Sequence, residues 1–584
     1  MNKRKNNQTK KIIILSDGTG NSAAKRHKTN VWRLYEALDL SRNDQIAMYD
    51  DGVGSQKFFL FKLLGGVFGW GLKRNVIEMY EFLCRNYKFG KREGDQDRIY
   101  LFGFSRGAFT VRVLVGLIAE CGLCTDFKSK RDLHNEAKKR FAVYRKSYKK
   151  RRSGKNCPQT CDCSCKQESK ARDGSPIPKI EFLGVWDTVD AYGLPIDELA
   201  DLWDRIYKFR FRDNRLSRHV VKACHALSID DERLTFHPVL WDESRECDDR
   251  IEQVWFPGAH SDVGGGYPRH NLSLVSLNWM ISKVDKSNGN SVGLVFFDDL
   301  LSEYSRRCDW NGKQHDSRAG LGTYYRYKPR DIEALSRHAG AAGGKAGQPK
   351  IHYSTFKRIQ SKIVPYAPTG IPRKYNIIKA KGVATHFESG KQKGQRVWQM
   401  NSALDIIYWR RWLYYVFVLT TLLTILLLVT FPIPIKWKVS SCCTCFVDTV
   451  LNPLRIATDC ILPDFASCLI KSVHLHMHQH TGYFFFLVAI YVASLIFLKC
   501  IWSKKTFERS EAAWAALKSS QAPSSPWCET LTSKLRTMSS GVMDTTARNA
   551  WWLILCLALL AVILKGTYCL YCRFYDCTIC LCVF

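Results

Sequence analysis

Two glycines flank a serine in Gly103-Phe104-Ser105-Arg106-Gly107. This Gly-x-Ser-x-Gly spacing turns a chain sharply and leaves the hydroxyl exposed. A lone serine hydroxyl is a poor nucleophile. It needs a histidine to take its proton and a carboxylate to hold that histidine in one tautomer. The chain offers both further on: Asp187 in Gly184-Val-Trp-Asp-Thr-Val189 and His260 in Phe256-Pro-Gly-Ala-His-Ser-Asp-Val-Gly-Gly-Gly-Tyr267. Serine first, acid second and histidine last is one of the orders in which such triads occur. Asp230 is an alternative acid, since it too follows an apolar run between Ser105 and His260; Asp262 is a weaker rival. An oxyanion needs backbone N–H donors. Arg106, directly after Ser105, is one candidate, and Gly18 or Thr19 in the turn Ser16-Asp-Gly-Thr-Gly-Asn21 is another. That turn lacks the Gly-Lys-Ser/Thr ending of a P-loop, which argues against a nucleotide triphosphatase. Each residue also has a purely structural use: Ser105 or Asp187 as a helix cap, His260 as a brace for its loop.

The surrounding patterns are those of alternating strands and helices. Residues 98–103 are short, β-branched and aromatic, as a buried strand is, and 108–122 carry Val111, Leu114, Val115 and Ile118 at helical spacing. Further strands are expected at 11–15, 45–49, 179–186, 220–228 and 251–256, with a helix at 75–87. Each strand ends in a cluster of Asp, Gly or His. A mostly parallel α/β sheet binds its ligands beyond the carboxyl ends of its strands, so these clusters are expected to converge on one site.

With 584 residues the chain has room for two or more domains, and its formal charge of +33 is extreme. Basic residues are densest at 128–155, within a stretch (126–178) that also holds Cys157, Cys161, Cys163 and Cys165. A positive surface suits an anionic membrane face or nucleic acid. No aromatic-interleaved RNA motif or zinc-finger spacing accompanies the charge, which argues against nucleic acid. The N-terminus is basic and polar, with no secretory signal expected. Three apolar runs, about 412–435, 483–502 and 550–566, are expected to cross a bilayer, with Trp409, Trp412, Trp502 and Trp551 at their ends. The positive-inside bias puts the N-terminal part in the cytoplasm, as in a multi-pass protein of the bacterial inner membrane. Cysteines at 442–468 and 569–582 would then lie outside, where disulfides are allowed. Cys157–Cys165 and the alternating His474, His476, His478 and His480 are the candidate metal ligands. No metal or other cofactor is expected in the serine chemistry.

In this order, the motifs resemble the DUF2235 family, the α/β-hydrolase-type domain that includes the Tle1 phospholipase effectors of type VI secretion. The matching segments are the turn at 16–21, Tyr49-Asp-Asp-Gly-Val-Gly54, Gly65-Gly-Val-Phe-Gly-Trp-Gly-Leu72, the serine motif extended to Phe109, Gly184–Val189, Ala226-Leu-Ser-Ile-Asp230, the histidine loop and Ile351-His-Tyr-Ser-Thr-Phe-Lys-Arg358. They cover roughly 10–375. The resemblance implies an esterase or phospholipase A acting through a serine triad, and it makes His352 an alternative base. The expected organisation is a basic tail (1–10), a catalytic domain (11–375) interrupted by the insertion at 126–178, a linker (376–411) and a membrane region (412–584). Expected partners are a membrane phospholipid or other acyl ester and the bilayer itself. The rival reading is a catalytically silent membrane-bound binding or assembly protein that keeps the fold. The basic insertion and the C-terminal spans depart from the family pattern.

Overall fold

The computed structural model describes residues 9–18, 26–52, 66–90, 95–153, 171, 174–189, 214–243, 250–286, 293–338, 348–361, 363–379, 382–387, 400–415, 417–418, 421, 491 and 500–515. The chain divides into two compact units, Met1–Gly390 and Lys391–Phe584.

The first unit is built on a sheet whose order is β2-β1-β3-β4-β5-β6-β7-β8-β9. The strands are β1 (Lys11–Ser16), β2 (Gln45–Asp50), β3 (Arg98–Phe104), β4 (Ile180–Trp186), β5 (Val220–Ser228), β6 (Ile251–Phe256), β7 (Lys350–His352), β8 (Lys374–Lys379) and β9 (Gly382–Phe387). All neighbouring pairs are parallel except β8 with β9. The helices among the described residues of this unit are α1 (Asn30–Ala37), α2 (Gly66–Asn86), α3 (Arg106–Cys121), α4 (Lys130–Ser153), α5 (His260–Gly264), α6 (Ser273–Val284), α7 (Asp298–Arg307), α8 (Ile332–His338) and α9 (Tyr353–Gln360).

Strand side chains alternate between two buried faces, which is why these strands read as continuous apolar runs. Ile12 and Ile14 pack with Val76 and Tyr80 of α2, Leu114 of α3 and Phe141 of α4. Ile13 and Leu15 point the other way, toward Leu34 of α1, Met280 of α6 and Tyr304 of α7. Each fully buried Ile or Leu contributes about 1.5–3 kcal/mol. The basic stretch at 128–155 is mostly helix α4, not an excursion from the fold. Its Leu133, Ala137 and Phe141, spaced i, i+4, i+8, are buried, while its charges occupy the other faces.

The six strands expected from the sequence stand within a residue of their anticipated bounds. The helix expected at 75–87 starts earlier, at Gly66. The sheet also runs on through Phe387, past residue 375 and into the expected linker, because β8 and β9 form an antiparallel pair at its edge.

Among the described residues, no helix is long and apolar enough to cross a membrane. The runs expected to span, about 412–435, 483–502 and 550–566, lie almost wholly outside the described residues, as do Cys157–Cys165 and His474–His480. The described part of the second unit includes a helix at Trp502–Ala515 that buries Ala513 and Trp514.

Candidate active site

Ser105 sits in the turn between β3 and α3 with φ 57° and ψ −121°, a conformation that costs a non-glycine residue energy. The flanking glycines make the turn possible. A Cβ at Gly107 would lie 2.2 Å from the Ser16 carbonyl oxygen, and one at Gly103 would lie 2.7 Å from the Cα of Ala108. The Ser105 backbone N–H is tied to the Trp186 carbonyl at 3.0 Å. Although Ser105 occupies the cap position of α3, its side chain makes no capping bond. The hydroxyl lies instead 2.8 Å from Nε2 of His260.

His260 opens the short helix α5 after β6, and its backbone N–H donates to Asp231 at 3.2 Å. Its ring lies between Phe104 and Phe236, with centroids at 4.7 and 5.0 Å. Nδ1 is 2.6 Å from Oδ2 of Asp187. With the proton on Nδ1 donated to Asp187, Nε2 is left to accept from the Ser105 hydroxyl. Burial lowers the His260 pKa, and the hydrogen bond and charge of Asp187 only partly oppose this. The imidazole is therefore neutral at pH 7 and able to take a proton.

Asp187 directly follows β4 with φ 40° and does not cap a helix. Besides His260 it accepts from the N–H and hydroxyl of Ser228, at 3.0 and 3.2 Å. Arg330 completes its shell. The guanidinium is fully buried and reaches Oδ1 through Nη1 at 2.7 Å and Oδ2 through Nη2 at 2.8 Å. It also donates to the carbonyls of Ser228, at 2.6 Å, and Phe236. Burial pushes the Asp187 carboxyl up, but the Arg330 charge and the hydrogen bonds from His260 and Arg330 outweigh it. The group is held well below the usual carboxylate range. Sequence reasoning missed Arg330. The only signal for it would have been knowledge of the contact itself, since it lies 143 positions from its partner.

The rival residues stand elsewhere. Asp230 accepts from Gly258 N–H at 2.7 Å and Tyr366 hydroxyl at 2.8 Å, and burial pushes it up to about 7. Asp262 holds Ala259 N–H at 3.0 Å and His315 Nδ1 at 2.7 Å. His352 stacks on Phe256 at 4.6 Å; its Nδ1 accepts the Ser354 N–H at 3.4 Å, capping α9, and lies 2.8 Å from the Ser354 hydroxyl. None of the three bonds to Ser105 or to the His260 ring. The oxyanion candidates also separate. Arg106 is the first residue of α3, in the first turn of a helix whose N–H groups point toward Ser105's end. The Gly18 N–H instead donates to Oδ1 of its neighbour Asp17 at 2.6 Å. The other oxygen of Asp17 takes hydroxyls from Thr29, at 2.5 Å, and Tyr49, at 2.7 Å. Thr19 lies outside the described residues. Among the described residues, no group of three His, Cys, Asp or Glu side chains could hold a metal.

Ser105, His260 and Asp187 thus come together beyond the carboxyl ends of the strands of a mostly parallel α/β sheet, where such sheets bind their ligands. Residues 10–283 match the family described as the T6SS phospholipase effector Tle1-like catalytic domain. An uncharacterized protein of Saccharomyces cerevisiae is 31% identical over 242 residues, covering 39% of this chain and 32% of that protein. The chain thus spans about a third of that relative's length. Two solved structures are similar in part. One is an uncharacterized protein from Pseudomonas aeruginosa (20% identity, 51% of this chain and 49% of that one, TM-score 0.29). The other is a Tle1 effector bound to the VgrG spike of the type VI secretion system (19% identity, 45% and 52%, TM-score 0.27). At these scores neither carries a functional argument.

Proposed function

We propose that the chain is a serine hydrolase that cleaves acyl esters, a phospholipase A acting on membrane phospholipid. Ser105 attacks the ester carbonyl carbon while His260 Nε2 takes its proton. Asp187 holds the imidazole and steadies the imidazolium that forms. The Arg106 N–H serves the oxyanion. The proton then passes to the leaving alcohol, and water releases the acyl group by the same route. The observation that carries this reading is the line of two short contacts, 2.8 Å from Ser105 to His260 and 2.6 Å from His260 to Asp187, on a strained strand-to-helix turn. The Tle1-like match over 10–283 supports the lipid ester as the substrate class. The charge of +33 and the apolar runs beyond residue 411 support attachment to an anionic bilayer, with the catalytic unit on the cytoplasmic side.

A silent binding or assembly protein is the second reading. It is favoured by one observation, that the Gly18 N–H is taken by Asp17 and not offered to an oxyanion. A fluorophosphonate probe separates the two. The enzyme reading expects labelling of the full chain that is lost in Ser105→Ala, together with fatty-acid release from phospholipid vesicles. A folded wild-type protein that takes no label and releases no fatty acid supports the binder.

A further inference from the structure

A cavity of about 270 Å³ lies beside the loop that follows His260, and none of Ser105, Asp187 or His260 lines it. Four cationic side chains face it, from Arg26, Lys28, Arg33 and Arg307. Against them stand two carboxylates, both engaged. Glu303 pairs with Arg307 at 2.7 Å, and Glu36 accepts the Tyr304 hydroxyl at 3.3 Å. The lining therefore keeps an excess of positive charge.

Arg33 is the key member. It is 6% exposed. Among the described residues its guanidinium makes one hydrogen bond, from Nη1 to the Lys28 carbonyl at 2.7 Å, and has no carboxylate in ion-pair range. A buried guanidinium with one carbonyl partner is costly unless an anion joins it. Arg307 is aimed by His270, whose Nε2 faces Nη2 at 3.1 Å. An imidazole facing a guanidinium there must be the acceptor, hence neutral; burial, then the charge of Arg33, lowers its pKa to about 4.

We propose that this cavity binds a phosphate group, free or as the monoester of a lipid headgroup, through Arg33, Arg307, Lys28 and Arg26. Three planar guanidinium forks and an ammonium suit a multi-oxygen dianion better than a single carboxylate, which one fork would satisfy. The cavity falls just short of the ~300–1,000 Å³ typical of drug-sized ligands, a size that suits a small anion. The site is wired to the candidate catalytic loop through two residues. The Lys28 carbonyl accepts from both Arg33 and Gly266 N–H, the latter at 3.1 Å, and Thr29 bridges to Gly265. Thr29 also bonds Asp17, beside Gly18. Phosphate binding here does not depend on whether Ser105 is a nucleophile.

The test uses the full chain in detergent micelles, titrated calorimetrically with inorganic phosphate. One saturable site is expected, weakened about tenfold in Arg307→Gln and in Lys28→Gln, as loss of one charge-assisted partner implies. Arg33→Gln is expected to abolish it; if that variant does not fold, the other two decide. Unchanged melting temperatures confirm that those two are folded. Absence of binding to the wild type, or equal binding by both variants, overturns the site. Sedimentation with phosphatidic acid vesicles, phosphatidylcholine serving as control, separates the sources. Displacement from phosphatidic acid by inorganic phosphate assigns the lipid headgroup, and phosphate binding without displacement assigns free phosphate.

Discussion

Replacing Arg330 by Gln gives the most informative perturbation of the candidate site. The wild-type guanidinium is fully buried and gripped by Asp187 at 2.7 and 2.8 Å. Its loss strands a buried carboxylate and removes the donor to the Ser228 and Phe236 carbonyls. Breaking a buried pair from one side costs about 3–5 kcal/mol. Arg330→Lys keeps the charge but not the fork and is expected to cost less, about 1–3 kcal/mol. The effect on chemistry has its own sign. In the wild type the Arg330 charge opposes the field that Asp187 exerts on His260. Without it the imidazolium is better stabilised, the His260 pKa rises, and the acid limb of kcat/KM moves to higher pH. Urea unfolding followed by tryptophan fluorescence reads the first effect, and hydrolysis of a soluble acyl ester from pH 4 to 9 reads the second. An unchanged unfolding midpoint in Arg330→Gln, or an acid limb displaced to lower pH, refutes the reasoning.

Other predictions follow from the same geometry. Asp187→Asn is expected to lower kcat by about 10⁴, because an amide favours the wrong imidazole tautomer, and steady-state ester hydrolysis checks this. Because burial lowers the His260 pKa, wild-type kcat/KM should hold below pH 6.5 and fall only at more acid pH; an acid limb centred above that value contradicts it. Gly107→Ala drives a Cβ to 2.2 Å from the Ser16 carbonyl, so the turn must move; loss of fluorophosphonate labelling and a lower melting temperature are expected. Asp230, raised by burial to about 7, contributes stability that is complete below its unfolded pKa and declines as pH rises through about 7. Asp230→Asn should remove that decline, and unfolding midpoints at pH 5 and pH 8 measure it.

The turn at Ser105 was legible because everything that forms it is local: a short apolar strand, two glycines and a helix of regular period within 24 residues, 98–121. Asp187 and His260 were legible for a related reason, since each lies within four residues of the end of an apolar strand. Arg330 was not, because what fixes it is a cavity of matching charge closed by distant segments, and no period or spacing records that. Strand β7 is three residues long, too short for alternation to show. The bond from Gly18 to Asp17 escaped notice because it depends on the rotamer of one side chain. The ends of the sheet were misjudged where β8 and β9 continue it beyond the recognisable motifs.

The clamp on Asp187 reaches across a boundary that similarity alone would draw. The Tle1-like match stops at 283, yet Arg330 and strands β7 to β9 come later in the chain. A fragment cut at 283 would keep the serine, the acid and the histidine while stripping the acid of its counter-charge. It would also leave β6 as a bare, sticky sheet margin. The smallest piece worth expressing therefore ends near residue 390, where the first compact unit closes.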